Sequence, residues 1–463
     1  MEREKFGSRL GFILISAGCA IGLGNVYRFP IITGAYGGAL FVLIYLVFLV
    51  LLGIPVMTAE LAVGRRSQRS IASSFEVLEK PGQKWHLMKY LGIGGNYLLM
   101  MFYTTISGWM FIYFFKFLTG SIFSVQNPSA DFGAMVSNPL LMTGATVGVI
   151  VVCFLICALG LKNGVEKITK FMMVGLFALM LGLVVYCLTL SGAGEGIKFY
   201  LVPSADAFKD NSFWAIVSSA LGQSFFSLSI GIGSIAIFGS YIKKEKRLLG
   251  EAVTIVSLDT TVALMSGLII FPAAFTFNGG QTVADVGNFG ASFLFTTLTK
   301  IFTQMPGGRI IGTVFFLFMI FASLSTVIAV FENIMSFWIE KTKLSRTKIA
   351  IINVLLMIVL SLPCIFGFNL LSSLSFETYK GGQVIMDVED FIVSNLLLPI
   401  GSLCYAIFCF TKFGMGWDNF IDEVNTGSGL KFPKWMKYYC KYVLPTIIVG
   451  VLIISILNYF IRF

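Results

Sequence analysis

Histidine is almost missing from this chain of 463 residues: there is one, His86, in a basic loop. A single imidazole excludes a multi-histidine metal centre and argues against a Ser-His-Asp triad. Charge is scarce as well, at 12% of residues, against about 25% in a soluble domain. No GxxxxGK[ST] motif occurs, so ATP hydrolysis by this chain is not expected. The eight cysteines form no CxxC pair and lie within or beside apolar runs, Cys440 just ahead of the last, which reads as buried small apolar groups. Alternating ten-residue strands are absent, which excludes a membrane β-barrel. The first apolar run offers no small-residue cleavage site, so a removable leader is not expected.

What the chain has is apolar length. It is 57% hydrophobic with a mean hydropathy of +0.87, the signature of a helical integral membrane protein. Apolar spans fall near 10–34, 38–63, 87–118, 139–161, 165–190, 213–240, 252–276, 307–338, 348–368, 389–412 and 440–461. Eleven crossings put the two termini on opposite sides. A net charge of +10 in a soluble protein would suggest nucleic acid. Here the cations sit between the spans, so the bilayer is the expected partner and nucleic acid is not. All but eight of the 33 Lys and Arg (Arg28, Lys116, Lys198, Lys209, Lys300, Arg309, Lys380 and Arg462) lie on one set of alternate segments. The positive-inside rule then places the N-terminus in the cytoplasm and the C-terminus outside.

Two spans are interrupted. Gly18-Cys19-Ala20-Ile21-Gly22-Leu23-Gly24-Asn25-Val26-Tyr27-Arg28-Phe29-Pro30 sits inside the first apolar run, yet holds three glycines, an asparagine, an arginine and a proline. Glycine costs about 1 kcal/mol and proline about 3 kcal/mol in a helix interior. Broken backbone at membrane depth persists only where protein or a cavity covers it. The sixth run holds Ser227-Leu228-Ser229-Ile230-Gly231-Ile232-Gly233-Ser234, and its Ile-Gly-x-Gly repeats that of Ile21–Gly24. Glycine also serves plain helix packing. Interruptions at corresponding places in two halves point instead to a transporter binding site.

Between spans, segment 277–306 carries Gly279-Gly280 and a short amphipathic run around Phe289–Phe302. A lid over an outer vestibule and ordinary loop packing fit that pattern equally. The 413–439 segment, with Gly427-Ser428-Gly429 and Pro433, reads as a mobile cytoplasmic loop.

The stretch Gly22–Pro30 resembles the signature of the neurotransmitter:sodium symporter family. So do Gly53-Ile54-Pro55 with Glu60 and Gly64-Arg65, Tyr103 six residues before Trp109, Gly222–Ser229, and Ala322-Ser323-Leu324-Ser325-Thr326. The likeness covers the whole chain, and its eleven spans resemble the bacterial branch that carries hydrophobic amino acids. It implies one all-α membrane domain over 1–463 with a LeuT-like 5+5 inverted repeat: spans 1–5 (10–190), spans 6–10 (213–412) and a peripheral span 11 (440–461). It also implies sodium-coupled uptake of a hydrophobic L-amino acid across a bacterial cytoplasmic membrane by alternating access. Monomer or weak dimer is the expected state.

The same resemblance assigns the residues. The substrate would be held by Cys19, Ala20, Leu23, Gly24, Leu99, Tyr103, Phe226, Ser227, Ser229, Ile232, Thr326 and Val330, with its carboxylate on the Leu23 and Gly24 N–H groups and the Tyr103 hydroxyl. A first sodium would use Ala20, Asn25, Ser227, Asp259 and the substrate carboxylate. A second would use Gly18, Ile21, Ala322, Ser325 and Thr326. Hard oxygen ligands of this kind suit sodium. An outer gate would consist of Arg28, Asp390 and Phe226, and an inner gate of Arg3, Phe6 and Glu340. The family usually has asparagine where this chain has Asp259. That acid, near Tyr45, Gln223 and Ser227, would supply the negative charge that chloride brings in many animal members, so chloride independence is expected. Gly22 replaces the aspartate of the amine carriers, which favours an amino acid. Cys19 replaces a common asparagine. Val174 replaces a span 5 proline that often follows a glycine, here Gly164. Glu332 is a second intramembrane acid, read as structural. A proton-coupled or uncoupled carrier on the same fold is the alternative. A channel or membrane-embedded enzyme is the rival from another class.

Overall fold

The computed structural model describes residues 8–205, 207–210, 212–277, 294–378 and 381–460. Among them, nine helices are long and apolar enough to cross a bilayer: Ala39–Ser67, Trp85–Thr119, Pro139–Ala158, Leu161–Leu188, Leu248–Phe277, Gly308–Thr342, Arg346–Phe366, Ile385–Phe410 and Lys434–Leu457. Numbered with the two broken spans, these are spans 2–5 and 7–11. Span 1 is the bent pair Arg9–Ala20 and Gly24–Ala35, turned by 51°. Span 6 is the pair Phe213–Leu228 and Ser234–Gly239.

The helices outrun several of the apolar runs. Span 11 starts at Lys434, and span 2 continues to Ser67 because the charges that end its apolar run are paired here. Arg65, fully buried, donates from Nε to Glu423 Oε1 at 2.6 Å, from NH1 to the Lys246 carbonyl at 2.7 Å, and from NH2 to the Glu423 carbonyl. Arg66 donates to Asn419. Glu423 and Asn419 lie on a helix, Trp417–Val424, in the segment expected to be a mobile loop. Phe410, Trp417, Phe420 and Phe432 pack edge to face around it. Ser428 pairs backbone with Glu245 and Arg247. Amphipathicity and a buried ion pair make this segment part of the bundle's basic end.

Burial grades the bundle from centre to rim. Span 8 buries 83% of its apolar window, span 3 67% and span 11 28%, so spans 8 and 3 form the axis. Glycines set the closest approaches: a Cβ at Gly64 would strike the Ala236 carbonyl, and one at Gly239 would meet Leu61. Span 2 thereby lies against the second half of span 6. Span 5 opens with a π-helical stretch, Leu161–Glu166, and then runs as α-helix through Val174, which is 63% exposed.

Of segment 277–306, the described part forms Leu294–Leu298 and Thr299–Gln304. Phe295 packs on Trp109, Tyr113 and Phe132. The rest of that segment, for which a lid and loop packing were equally expected, lies outside the described residues.

Candidate functional site

The two breaks meet. Span 1 leaves the α conformation at Ile21 (φ −68°, ψ 104°) and resumes through a π turn, Gly24–Arg28. Pro30 sits in the first turn of the α-helical stretch Phe29–Ala35 that follows the π turn. Span 6 breaks at Ser229, which holds φ +50°, followed by Gly231 at φ 106° and Gly233 at φ 81°. Left-handed backbone at both glycines explains why side chains are absent there.

A broken helix exposes unpaired N–H groups. Span 2 supplies the answer for span 6: Glu60 accepts from Gly231 N at 2.8 Å, Ile235 N at 3.0 Å and Ala236 N at 3.3 Å. Asn96 of span 3 donates to the Ile232 carbonyl at 2.9 Å and accepts from Ser234 Oγ at 3.0 Å. Glu60 entered the sequence reading only as a motif position, and Asn96 was missed. The available signal was a polar residue in an apolar span facing a glycine pair.

Between the breaks is a narrow cavity of about 10 Å³ lined by Ala20, Gly24, Leu99, Tyr103, Phe226, Ser229 and Leu398. That is room for about one water. Leu23 N donates to the Tyr103 hydroxyl at 2.7 Å. A Cβ at Gly22 would overlap that hydroxyl and Thr326 Oγ1. Cys19, Leu23, Ser227, Ile232, Thr326 and Val330 are buried and do not belong to the cavity lining. Leu398 lines it and was not anticipated.

Asn25, Ser227 and Asp259 come together with Tyr45. Asn25 Nδ2 donates to Asp259 Oδ1 at 2.8 Å, the Asp259 carbonyl at 3.0 Å and Ser227 Oγ at 3.0 Å. Ser227 Oγ donates to Asp259 Oδ2 at 2.7 Å, and Tyr45 donates to Ser227 Oγ at 3.1 Å. Asn25 Oδ1 is turned away, accepting from Gly22 N at 3.1 Å. The amide nitrogen therefore faces Asp259 where the implied ligand set needs the amide oxygen. Gln223 donates to the Gly24 carbonyl at 2.8 Å.

A second cluster contains only oxygen. Thr326 Oγ1 lies 3.2 Å from the Gly18 carbonyl and 3.1 Å from that of Ile21. Ser325 Oγ lies 3.4 Å from the Ile21 carbonyl and 2.9 Å from that of Ala322. Five oxygens from spans 1 and 8 converge, a donor set that suits a hard cation.

Above the cavity, the Arg28 guanidinium lies 4.4 Å from the Phe226 ring centre. Arg28 is 3.5 Å from Asp390, and a hydroxyl makes the shorter link. Arg28 NH1 donates to Ser394 Oγ at 2.8 Å, and Ser394 donates to Asp390 Oδ1 at 2.6 Å. Ser394 was missed. At the basic end, Arg3 and Phe6 lie outside the described residues, while Glu340 accepts from Ser70 N and Oγ at 3.0 and 2.9 Å. Arg9 Nε meets Glu251 at 2.9 Å, and Lys170 meets Glu166 at 2.7 Å. Glu332 pairs with Arg346 and accepts from Tyr241 at 3.2 Å.

Comparison with known proteins places this arrangement. The profile of the sodium:neurotransmitter symporter family matches residues 3–127 and 133–462. The chain belongs to that family. This transporter is 32% identical over 462 residues to YhdH of Bacillus subtilis, described as an uncharacterized sodium-dependent transporter, covering 98% of each chain. It is 25% identical over 505 residues to the sodium- and chloride-dependent taurine transporter of rat, covering 99% of this chain and 79% of that one. Its structure is similar to that of MhsT crystallised with L-phenylalanine, with a TM-score of 0.85 and 34% identity, covering 98% of this chain and 100% of that one. The fold is thus LeuT-like, and the chain is a multi-pass, sodium-dependent transporter of a small molecule.

Proposed function

We propose that this transporter imports hydrophobic L-amino acids with sodium. The observation that carries the reading is the lining of the cavity beside Gly22, which is closed down to about one water in this conformation and opens to take substrate. The N–H groups of Leu23 and Gly24 at the helix break, the first now held by the Tyr103 hydroxyl, suit a carboxylate together with that hydroxyl. The Cβ clash at Gly22 leaves no room for the acid that a lone amine would need. Leu99, Phe226 and Leu398 give the remaining wall no charge. MhsT, the structural relative, binds L-phenylalanine, which supports the same class.

Two sodium ions are cargo in this reading. One uses Gly18, Ile21, Ala322, Ser325 and Thr326, tying span 1 to span 8. The other uses Ala20, Asn25, Ser227, Asp259 and the substrate carboxylate. For it, the Asn25 amide turns over, exchanging its nitrogen for its oxygen and releasing Gly22 N. Ion and substrate then share a ligand, so each raises the affinity for the other. Asp259 supplies the charge that makes chloride dispensable. Spans 1–5 and 6–10 form the inverted repeats, with the basic end cytoplasmic and the C-terminus outside. Arg28, Ser394, Asp390 and Phe226 close the outer side. Arg3, Phe6 and Glu340, with Arg9–Glu251, close the inner side.

In proteoliposomes, uptake of labelled L-leucine or L-phenylalanine is expected to require external sodium at fixed pH and to persist without chloride. Undiminished uptake in choline would reject sodium coupling. Saturable uptake without conductance sets a channel aside.

A further inference from the structure

Span 10 reaches the cavity at one residue, Leu398, which is 1% exposed. We infer that Leu398 sets the size of the side chain this transporter accepts, an inference that rests on the amino acid reading above.

Three observations carry it. First, Leu398 borders the broken part of span 6: its carbonyl and the Ser402 amide occupy the space a Cβ at Gly231 would need. The wall is therefore seated on fixed backbone. Second, a π-helical stretch, Ile392–Leu397, immediately precedes it. Such a stretch shifts the register of the helix that follows, and Leu398 is the first residue after it. Such stretches recur at functional positions. Third, Leu99 of span 3 lines the same cavity. One turn below, a Cβ at Gly95 would meet Ile232 Cγ2 at 2.9 Å and Leu397 Cδ1 at 3.6 Å. Spans 6 and 10 thus pack closely on span 3 one turn from Leu99. With Tyr103 and Leu23 N at one end, the substrate side chain extends toward Leu99 and Leu398. Volume added or removed at Leu398 then changes the space left for it.

The test measures displacement of labelled L-leucine from purified full-length protein in sodium by alanine, leucine, phenylalanine and tryptophan. One methylene in an apolar pocket changes affinity by about tenfold or more. Leu398→Ala is expected to raise the tryptophan-to-alanine affinity ratio by about tenfold, and Leu398→Phe to lower it by about tenfold. Leu398→Met, close in volume, leaves the ratio near the wild-type value. Parallel weakening of all four ligands, or an unchanged ratio in the Ala and Phe variants, overturns the inference. Should those two fail to fold, Leu398→Val reads the same ratio: a rise supports the inference and no change overturns it. Wild-type protein that binds none of the four overturns the amino acid reading, and this inference with it. Wild-type binding with an unmoved ratio overturns this inference alone.

Discussion

Asp259 carries more of the site's chemistry than any other single side chain. Both of its carboxyl oxygens receive donors, one from Asn25 and one from Ser227, and it is fully buried. Asp259→Asn keeps the shape and removes the charge. Sodium-driven uptake is expected to fall by about tenfold, the equivalent of about 1.4 kcal/mol, or to return only with chloride. Initial rates in sodium chloride and sodium gluconate decide this, and an unchanged rate in both removes the assigned role. Some residues announce themselves in the sequence and others do not. Asn25 and Asp259 are conspicuous because polar groups are rare in apolar spans. Ser394 is not, because a serine in such a helix ordinarily bonds its own backbone. Which end of the Asn25 amide faces Asp259 is a rotamer choice and leaves no mark on composition.

At the scale of elements, the two broken spans were legible for an energetic reason. Glycine pairs and a proline inside an apolar run are expensive unless the helix stops there. What the pattern left open was the partner that completes each break. Glu60 caps span 6 across 171 residues of chain, and no local period records a contact of that range. Glu60→Gln halves the acceptor capacity at three amides. The expected cost is about 2 kcal/mol, in line with hydrogen bonds to charged groups. It should appear as a lower Tm in detergent together with weaker amino acid binding. Equal Tm and equal binding would show that the cap is dispensable. Leu398 was hidden for a related reason: a π-helical stretch shifts the register of span 10, and a 3.6-residue period cannot foresee the shift.

Across the whole molecule, the order of the spans followed from apolar length, while their ends did not. Span 2 runs past its apolar run because Arg65 is neutralised by Glu423, some 358 positions away. Glu423→Ala leaves that guanidinium buried without its acid, at an expected cost of about 3 kcal/mol or more. The thermal midpoint in detergent should drop more for this variant than for Glu423→Gln. Equal midpoints for both variants and wild type would remove the pair from the account.

The clamp around Arg65 bears on where the chain tolerates new sequence. Connections between spans are usual places to splice a reporter or an epitope. Residues 426–429, though glycine-rich, are stitched to Glu245 and Arg247, so a tag spliced there should disable the carrier as surely as one in a buried helix. The same tag between Val125 and Gln126, on the opposite rim, should leave expression and uptake intact.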